Sequence, residues 1–344
     1  MTVTDRERPT AATPSIAGTG WSEIFMGGSA DAERALIDEV MPRVERIQDA
    51  VAAKQRAEVR RAFHNKGAVV RIRFDVASTL PGALRVAFLQ PGASYQGFGR
   101  LSRSQSFRLR DKDRDQRGFA FRIETDDGAQ DILLSNTPAS FARDPVQFMK
   151  VAALFAEHPQ PIAAILILPT VGLREGLRIM GDLLKPPDRA VSFTSQRYWS
   201  RTAFQIGEAA ARLFVRPTSE VRRVAIEDDP DYLTTDLVAD LRQHPRSFEL
   251  CAQLFVDEAR TPIEDSSRVW NERVAPPVVL GTVTILQQEL DTSEARDLAT
   301  RVETLEAFSP IVTPGLRPLG RMNRARDLAY ARSADHRRQS PRTG

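Results

Sequence analysis

Two blocks of short apolar runs, separated by a long stretch of helical period, constrain this chain more than any other feature. The first block holds "AVVRIRFDV" (68–76), "LRVAFL" (84–89), "GFAFRIE" (118–124) and "DILLS" (131–135). The second holds "TAFQIG" (202–207), "ARLFVRP" (211–217), "SFELCAQLFVD" (247–257) and "VVLGTVTI" (278–285). Runs of this length, bounded by turn formers such as "STLPG" and "TDDG", read as strands. Four in close succession predict an antiparallel sheet, and about eight in all suffice for a closed barrel or a large sandwich. Between the blocks, "VQFMKVAALFAEH" (146–158) and "PIAAILILPTVGLREGLRIMGDLL" (161–184) predict helices broken at prolines. Upstream, Leu36, Ile37, Val40, Met41, Val44, Ile47 and Val51 predict one long amphipathic helix that ends before Gly67.

Composition narrows the class. A chain of 344 residues with 42% hydrophobic content is long enough to bury a substantial core. Its net charge of +3, from 48 basic and 45 acidic residues, is too nearly balanced for a dedicated nucleic-acid binder. The single Cys251 excludes an internal disulfide framework and fits a reducing compartment, and the scattered histidines cannot build a spaced zinc site. The opening "MTVTDRERPTAATPS" has no apolar core for a secretion signal, and "IAAILIL" stops at Pro169, far short of a membrane span. A cytoplasmic protein without an integral membrane segment is expected. Three regions follow: a flexible arm (1–25), one large domain (26–338) and a short tail (339–344).

The chemistry of the tail stretch "NRARDLAYARSADHRR" (323–338) is the next clue. In a helix, Arg326, Tyr330 and Arg337 fall on one face, since offsets of four and seven return to the same side. A fixed positive charge beside a phenol favours the phenolate, which is a hard ligand suited to Fe(III). The plain alternative is a solvated basic helix end with Tyr330 packed against the sheet.

Further segments follow in a fixed order: "RAFHNKG" (61–67), "GRLSRSQSF" (99–107), "RDQRGFAFRI" (114–123), "SNTPASFARDP" (135–145) and "PIEDSSRVWNERVAPPVVLGTVTI" (262–285). Together with the Arg326, Tyr330, Arg337 spacing they resemble the haem catalase family over roughly residues 58–338. The resemblance implies an α+β fold, an eight-stranded antiparallel β-barrel with flanking helices, without the C-terminal flavodoxin-like domain of large catalases. It implies haem b as cofactor, with Tyr330 as the axial iron ligand, as tyrosinate is in catalases. Arg61, Arg100 and Arg337 match positions that hold the propionates, and Arg326 sits beside the ligand. His64 is the matching acid and base for peroxide, Asn136 orients the peroxide, and Ser102 fixes the imidazole tautomer. Phe141 and Phe148 pack against the macrocycle, although ordinary core packing accounts for both equally well.

Departures from the family pattern shape the expected activity. Phe63 precedes His64 where typical catalases carry valine, Arg201 stands where a family segment reads Gly-Ser-His-Thr-Phe, and Ala334 replaces a common histidine. The chain ends soon after Tyr330, so the wrapping segment of large catalases is not expected, and a monomer or homodimer is. The combined reading is a minimal haem peroxidase that uses hydrogen peroxide or organic hydroperoxides to oxidise a small organic donor through a ferryl state, with weak catalase activity. Two alternatives stay open: a hydroperoxide-rearranging or dehydrating enzyme similar to allene oxide synthases, and a haem-binding protein without turnover.

Overall fold

Strict alternation along β1 (Val69–Val76) sets the pattern of the sheet: Val70, Ile72, Phe74 and Val76 join the main core, while Arg71 and Arg73 are exposed. The computed structural model describes residues 18–55, 68–103, 110–112, 116–184, 190–226, 229–304 and 316–339. The other strands are β2 (Ser94–Arg103), β3 (Arg117–Thr125), β4 (Gly128–Ser135), β5 (Tyr198–Ile206), β6 (Ala209–Pro217), β7 (Arg246–Leu254), β8 (Pro277–Ile285) and β9 (Leu316–Leu319). They run antiparallel in the order β4-β3-β2-β1-β8-β7-β6-β5, and a pairing of Ser135 with Trp199 returns β4 to β5 and closes the ring. This is the expected eight-stranded antiparallel barrel. The short β9 lies outside it, paired to the second half of β5 from Ala203 to Ile206.

Aromatic side chains fill the barrel. Phe119 lies 5.1 Å from Phe121, 5.5 Å from Phe248 and 5.8 Å from Tyr198 between ring centroids, and all four are fully buried. Edge and tilted arrangements of this kind stabilise beyond simple area burial. With its centre occupied in this way, the barrel has to present a ligand site on its wall or at its ends.

The flanking helices are α1 (Ala30–Val40), α2 (Pro42–Gln55), α3 (Pro145–Glu157), α4 (Gln160–Val171), α5 (Leu173–Leu184), α6 (Tyr232–Gln243), α7 (Ser293–Thr304) and α8 (Arg321–Gln339). A second core, built from Ile37, Val40, Val44, Ile47, Met149, Ala153 and Ala325, joins α1, α2, α3 and α8. Ser29 caps α1 through Ala32, and Asp144 caps α3 through Gln147 with Pro145 in its first turn.

Four sequence readings change on the structure. The long N-terminal helix is two, divided at Met41 and Pro42, because proline has no N–H to continue the first ladder. "LRVAFL" is a 3-10 turn and loop whose Leu84, Phe88 and Leu89 join the barrel core, and the second strand is instead β2. The break after α4 falls at Gly172, with φ 86°, while Pro169 stays inside the helix. Helices α6 and α7 and strand β9 were not expected at all. Within the arm, residues 18–25 make specific contacts: Trp21 Nε1 donates to the Glu208 carbonyl at 2.9 Å, and Glu23 pairs with Arg317 and Arg324.

Candidate functional site

Three consecutive residues at the entry of β3 gather most of the described candidates. Gln116 Oε1 accepts a hydrogen bond from Arg201 Nη1 at 3.3 Å. The Arg117 N–H donates to Asn136 Oδ1 at 2.8 Å. Gly118 pairs with Ser102, and a Cβ at Gly118 would lie 2.8 Å from the Ser102 hydroxyl, so only glycine leaves that oxygen its place. One short segment therefore sits beside Ser102, Asn136 and Arg201.

Ser102 is 4% exposed, and its hydroxyl has no hydrogen-bond partner among the described residues. Arg100 lies two positions earlier on the same face of β2, also buried, opposite the core residue Leu101. Asn136 is more committed than its sequence role implied: besides accepting from Arg117, its Nδ2 donates to Gln196 Oε1 at 2.9 Å. That leaves one Nδ2 hydrogen for a bound oxygen.

Tyr330 lies on α8, and carboxylate pairs anchor this helix on its outer sides. Arg324 meets Glu33 at 2.5 Å, Glu23 at 2.8 Å and Glu264 at 2.9 Å. Further along, Arg332 pairs with Glu45 at 2.5 Å and His336 with Asp49 at 2.8 Å. The inward face is different. Arg326 Nη1 donates to Thr202 Oγ1 at 3.2 Å and to Asn323 Oδ1 at 3.0 Å, and no carboxylate pairs with it among the described residues. Asn323 is 1% exposed and its Nδ2 donates to the carbonyls of Ala203 and Leu319, so it locks α8 to β5 and β9. Burial holds the Arg326 guanidinium below its ordinary pKa, while Tyr330 and Asp327 oppose the shift. Arg201 behaves alike: burial pushes it down to about 10, Arg326 adds to the shift, and Tyr330 opposes it.

Phe141 and Phe148 stack at 5.0 Å with 22° between their planes. Phe148 packs against the second core, as do Leu328 and Ala329, immediately before Tyr330 in α8. Arg61, Phe63 and His64 lie outside the described residues, as do Arg114 and the side chains of Ala334 and Arg337. Sequence reasoning missed Gln116, Gln196, Thr202 and Asn323, and left Arg201 without a role. Their part in the site depends on which segments meet in space, and only Gly118, inside "RGFA", carried a local signal.

A closed antiparallel barrel with helices packed outside it is the fold that this chain shares with solved catalases. A catalase family model matches residues 44–164. Catalase A of Pseudomonas putida is 27% identical over 301 residues, which cover 79% of this chain and 60% of that protein. The catalase of an Onchocerca volvulus endobacterium is 25% identical over 249 residues, covering 64% of this chain and 49% of that protein. Among solved structures, a bacterial catalase aligns with 98% of this chain and 67% of its own at TM-score 0.66 and 19% identity, and a fungal catalase at TM-score 0.66 and 20% identity, covering 85% and 63%. The chain thus has the catalase fold and a distant sequence similarity to catalases. It spans about 60% of the length of the first of these relatives and about half of the second.

Proposed function

We propose that this protein is a haem-dependent hydroperoxidase of the peroxidase type, which uses hydrogen peroxide or an organic hydroperoxide to oxidise a small organic donor. The observation that carries this reading is the inward face of α8: a phenol beside two half-buried guanidiniums that have no carboxylate partner among the described residues. Buried charge of one sign calls for a compensating anion. A bare metal cation would be repelled there. Ferric haem fits better, because the dianionic porphyrin offsets two of the iron's three charges, ligation turns the neutral phenol into a tyrosinate oxygen beside the guanidiniums, and the propionates suit the arginines assigned to them.

In this reading Tyr330 holds the iron, Arg326 stands beside its oxygen, and Arg61, Arg100 and Arg337 hold the propionates. Phe148, stacked on Phe141, offers an apolar wall to the macrocycle. Bound haem supplies two electrons to the peroxide O–O bond. His64 takes the proton from one peroxide oxygen and returns it to the other, so that water can leave. Ser102, with its uncommitted hydroxyl, keeps the imidazole of His64 in the tautomer that can accept that proton. Asn136 directs its remaining Nδ2 hydrogen to the peroxide. Phe63, adjacent to His64 in sequence, places a larger side chain than valine next to the acid–base group and motivates the peroxidase assignment.

The deciding experiment gives the haem-loaded protein hydrogen peroxide, an organic hydroperoxide and a phenolic donor side by side. Donor oxidation with either peroxide, faster than oxygen evolution, is the expected result. Oxygen evolution that outpaces donor oxidation makes the protein a catalase. Consumption of the organic hydroperoxide with a rearranged product and no donor oxidised makes it an isomerase or dehydratase.

A further inference from the structure

Arg201 is held in a conformation that its residue type disfavours. Its φ is 60°, a left-handed value shared among the described non-glycine residues only with Ala87. The left-handed region disfavours side chains with a Cβ, which crowds the following carbonyl oxygen. The surrounding strand enforces it. The register of β5 against β6 shifts between Trp199 and Ala203, and the two flanking residues lace the bulge together. Ser200 Oγ donates to the Thr202 carbonyl at 2.7 Å, Thr202 Oγ1 donates to the Ser200 carbonyl at 3.2 Å, and the Leu213 N–H donates to Ser200 Oγ at 3.1 Å. Both side chains are buried. Bulges of this kind re-aim a side chain.

The side chain so aimed is a half-buried cation next to another half-buried cation. Arg326 Nη1 reaches Thr202 Oγ1, next to Arg201 in the chain, at 3.2 Å, one helical turn before Tyr330, and the hydrogen bond of Arg201 itself goes to the neutral Gln116. Elsewhere in the fold, buried arginines are compensated: Arg324 has three carboxylates, and Arg212 donates to the carbonyls of Pro262, Asp265 and Arg268 and stacks over Trp270 at 4.7 Å. Strain and uncompensated charge at the same residue oppose folding and point to a role in the site.

We infer that Arg201 is a positioning residue, a second guanidinium which with Arg326 flanks the Tyr330 oxygen and draws electron density from it when that oxygen holds iron, at the expense of fold stability. The inference rests on the haem reading above. A positive charge beside an anionic ligand favours the ferrous over the ferric state, so Arg201 raises the iron reduction potential.

Arg201→Gly tests both halves, because glycine accepts φ 60° without strain and removes the charge. The apoprotein of this variant is expected to melt above the parent, while its haem complex shows a lower ferric–ferrous midpoint potential and a shifted ferric spectrum. Arg201→Lys, which keeps the charge, is expected to hold the potential close to the parent. A parental potential in Arg201→Gly, or an apoprotein that melts below the parent, overturns the inference and leaves the haem assignment standing. Failure of the parent protein to bind haemin stoichiometrically overturns both together.

Discussion

At the scale of single residues, the site depends on one oxygen and the charges around it. Among the described residues Arg326 touches only neutral acceptors, the hydroxyl of Thr202 and the amide of Asn323, so its charge is left to act on Tyr330. Arg326→Ala removes a favourable charge without deleting the ligand oxygen, whereas Tyr330→Phe deletes the oxygen. Haem content and the ferric spectrum are therefore expected to change in a graded series, mildly in Arg326→Ala and strongly in Tyr330→Phe, and equal spectra in all three proteins would remove Tyr330 from the iron. In the proposed mechanism His64 is the acid and base, so His64→Ala is expected to retain haem and to slow the reaction with peroxide by roughly a hundredfold or more, the usual worth of such a group. Stopped-flow absorbance after mixing with peroxide measures this directly. The sequence made Tyr330 and Arg326 legible because both lie on one helix, where spacing alone puts them on one face. Arg201 was not legible in the same way. Its role depends on a bulge, and no local pattern in "YWSRTAF" announces that Ser200 and Thr202 will lace one together.

Among secondary-structure elements, β2 shows why strand reading failed where it did. Its central "QGFGR" has two glycines, which weaken any strand pattern. The fold requires them. A Cβ at Gly97 would lie 2.0 Å from the Arg122 carbonyl oxygen of β3, and one at Gly99 would lie 2.8 Å from the Phe119 ring. The close approach of β2 to β3 is what brings Ser102 beside Gly118, so the feature that hid the strand also builds the site. Gly97→Ala is expected to force the strands apart and to destabilise by about 1–3 kcal/mol or more, in the range of overpacked cores. Denaturant unfolding of the purified variant checks it, and parental stability would show that the strands separate without loss. The helix α8 makes a complementary case. Its period was plain in the sequence, but its anchoring was not, because Glu23 and Glu33 come from the N-terminal region and Glu264 from the stretch between β7 and β8, all distant from α8 in the chain. Arg324→Met leaves Glu33 and Glu264, at 2% and 4% exposure, without their main cation. A loss of about 3–5 kcal/mol is expected, as for other buried pairs broken on one side, with Arg324→Lys intermediate because an ammonium cannot reproduce the forked contacts.

Across the whole molecule, the site joins segments that are far apart in the chain. Arg201 of β5 bonds to Gln116 before β3, Asn136 after β4 bonds to Gln196 before β5, and Asn323 of α8 bonds to Ala203 of β5. A ligand held by residues of β2, β4 and α8 therefore binds only when both halves of the barrel and the last helix are assembled, and it has no comparable site in the unfolded chain. Linkage then requires that haem stabilise the whole fold, by about 4 kcal/mol when free ligand exceeds its dissociation constant roughly a thousandfold. The parent apoprotein is accordingly expected to melt several degrees lower than its haem complex. Tyr330→Phe separates ligation from packing, because the Tyr330 hydroxyl has no hydrogen-bond partner among the described residues to lose. Its apoprotein should melt close to the parent apoprotein, while added haemin raises its midpoint much less than it raises the parent's. A calorimetric or fluorescence melt of the two proteins, with and without haemin, gives all four midpoints. Equal haemin-induced shifts in parent and Tyr330→Phe would mean that the macrocycle binds without an iron–tyrosinate bond, and α8 would then be a structural helix that happens to present a phenol.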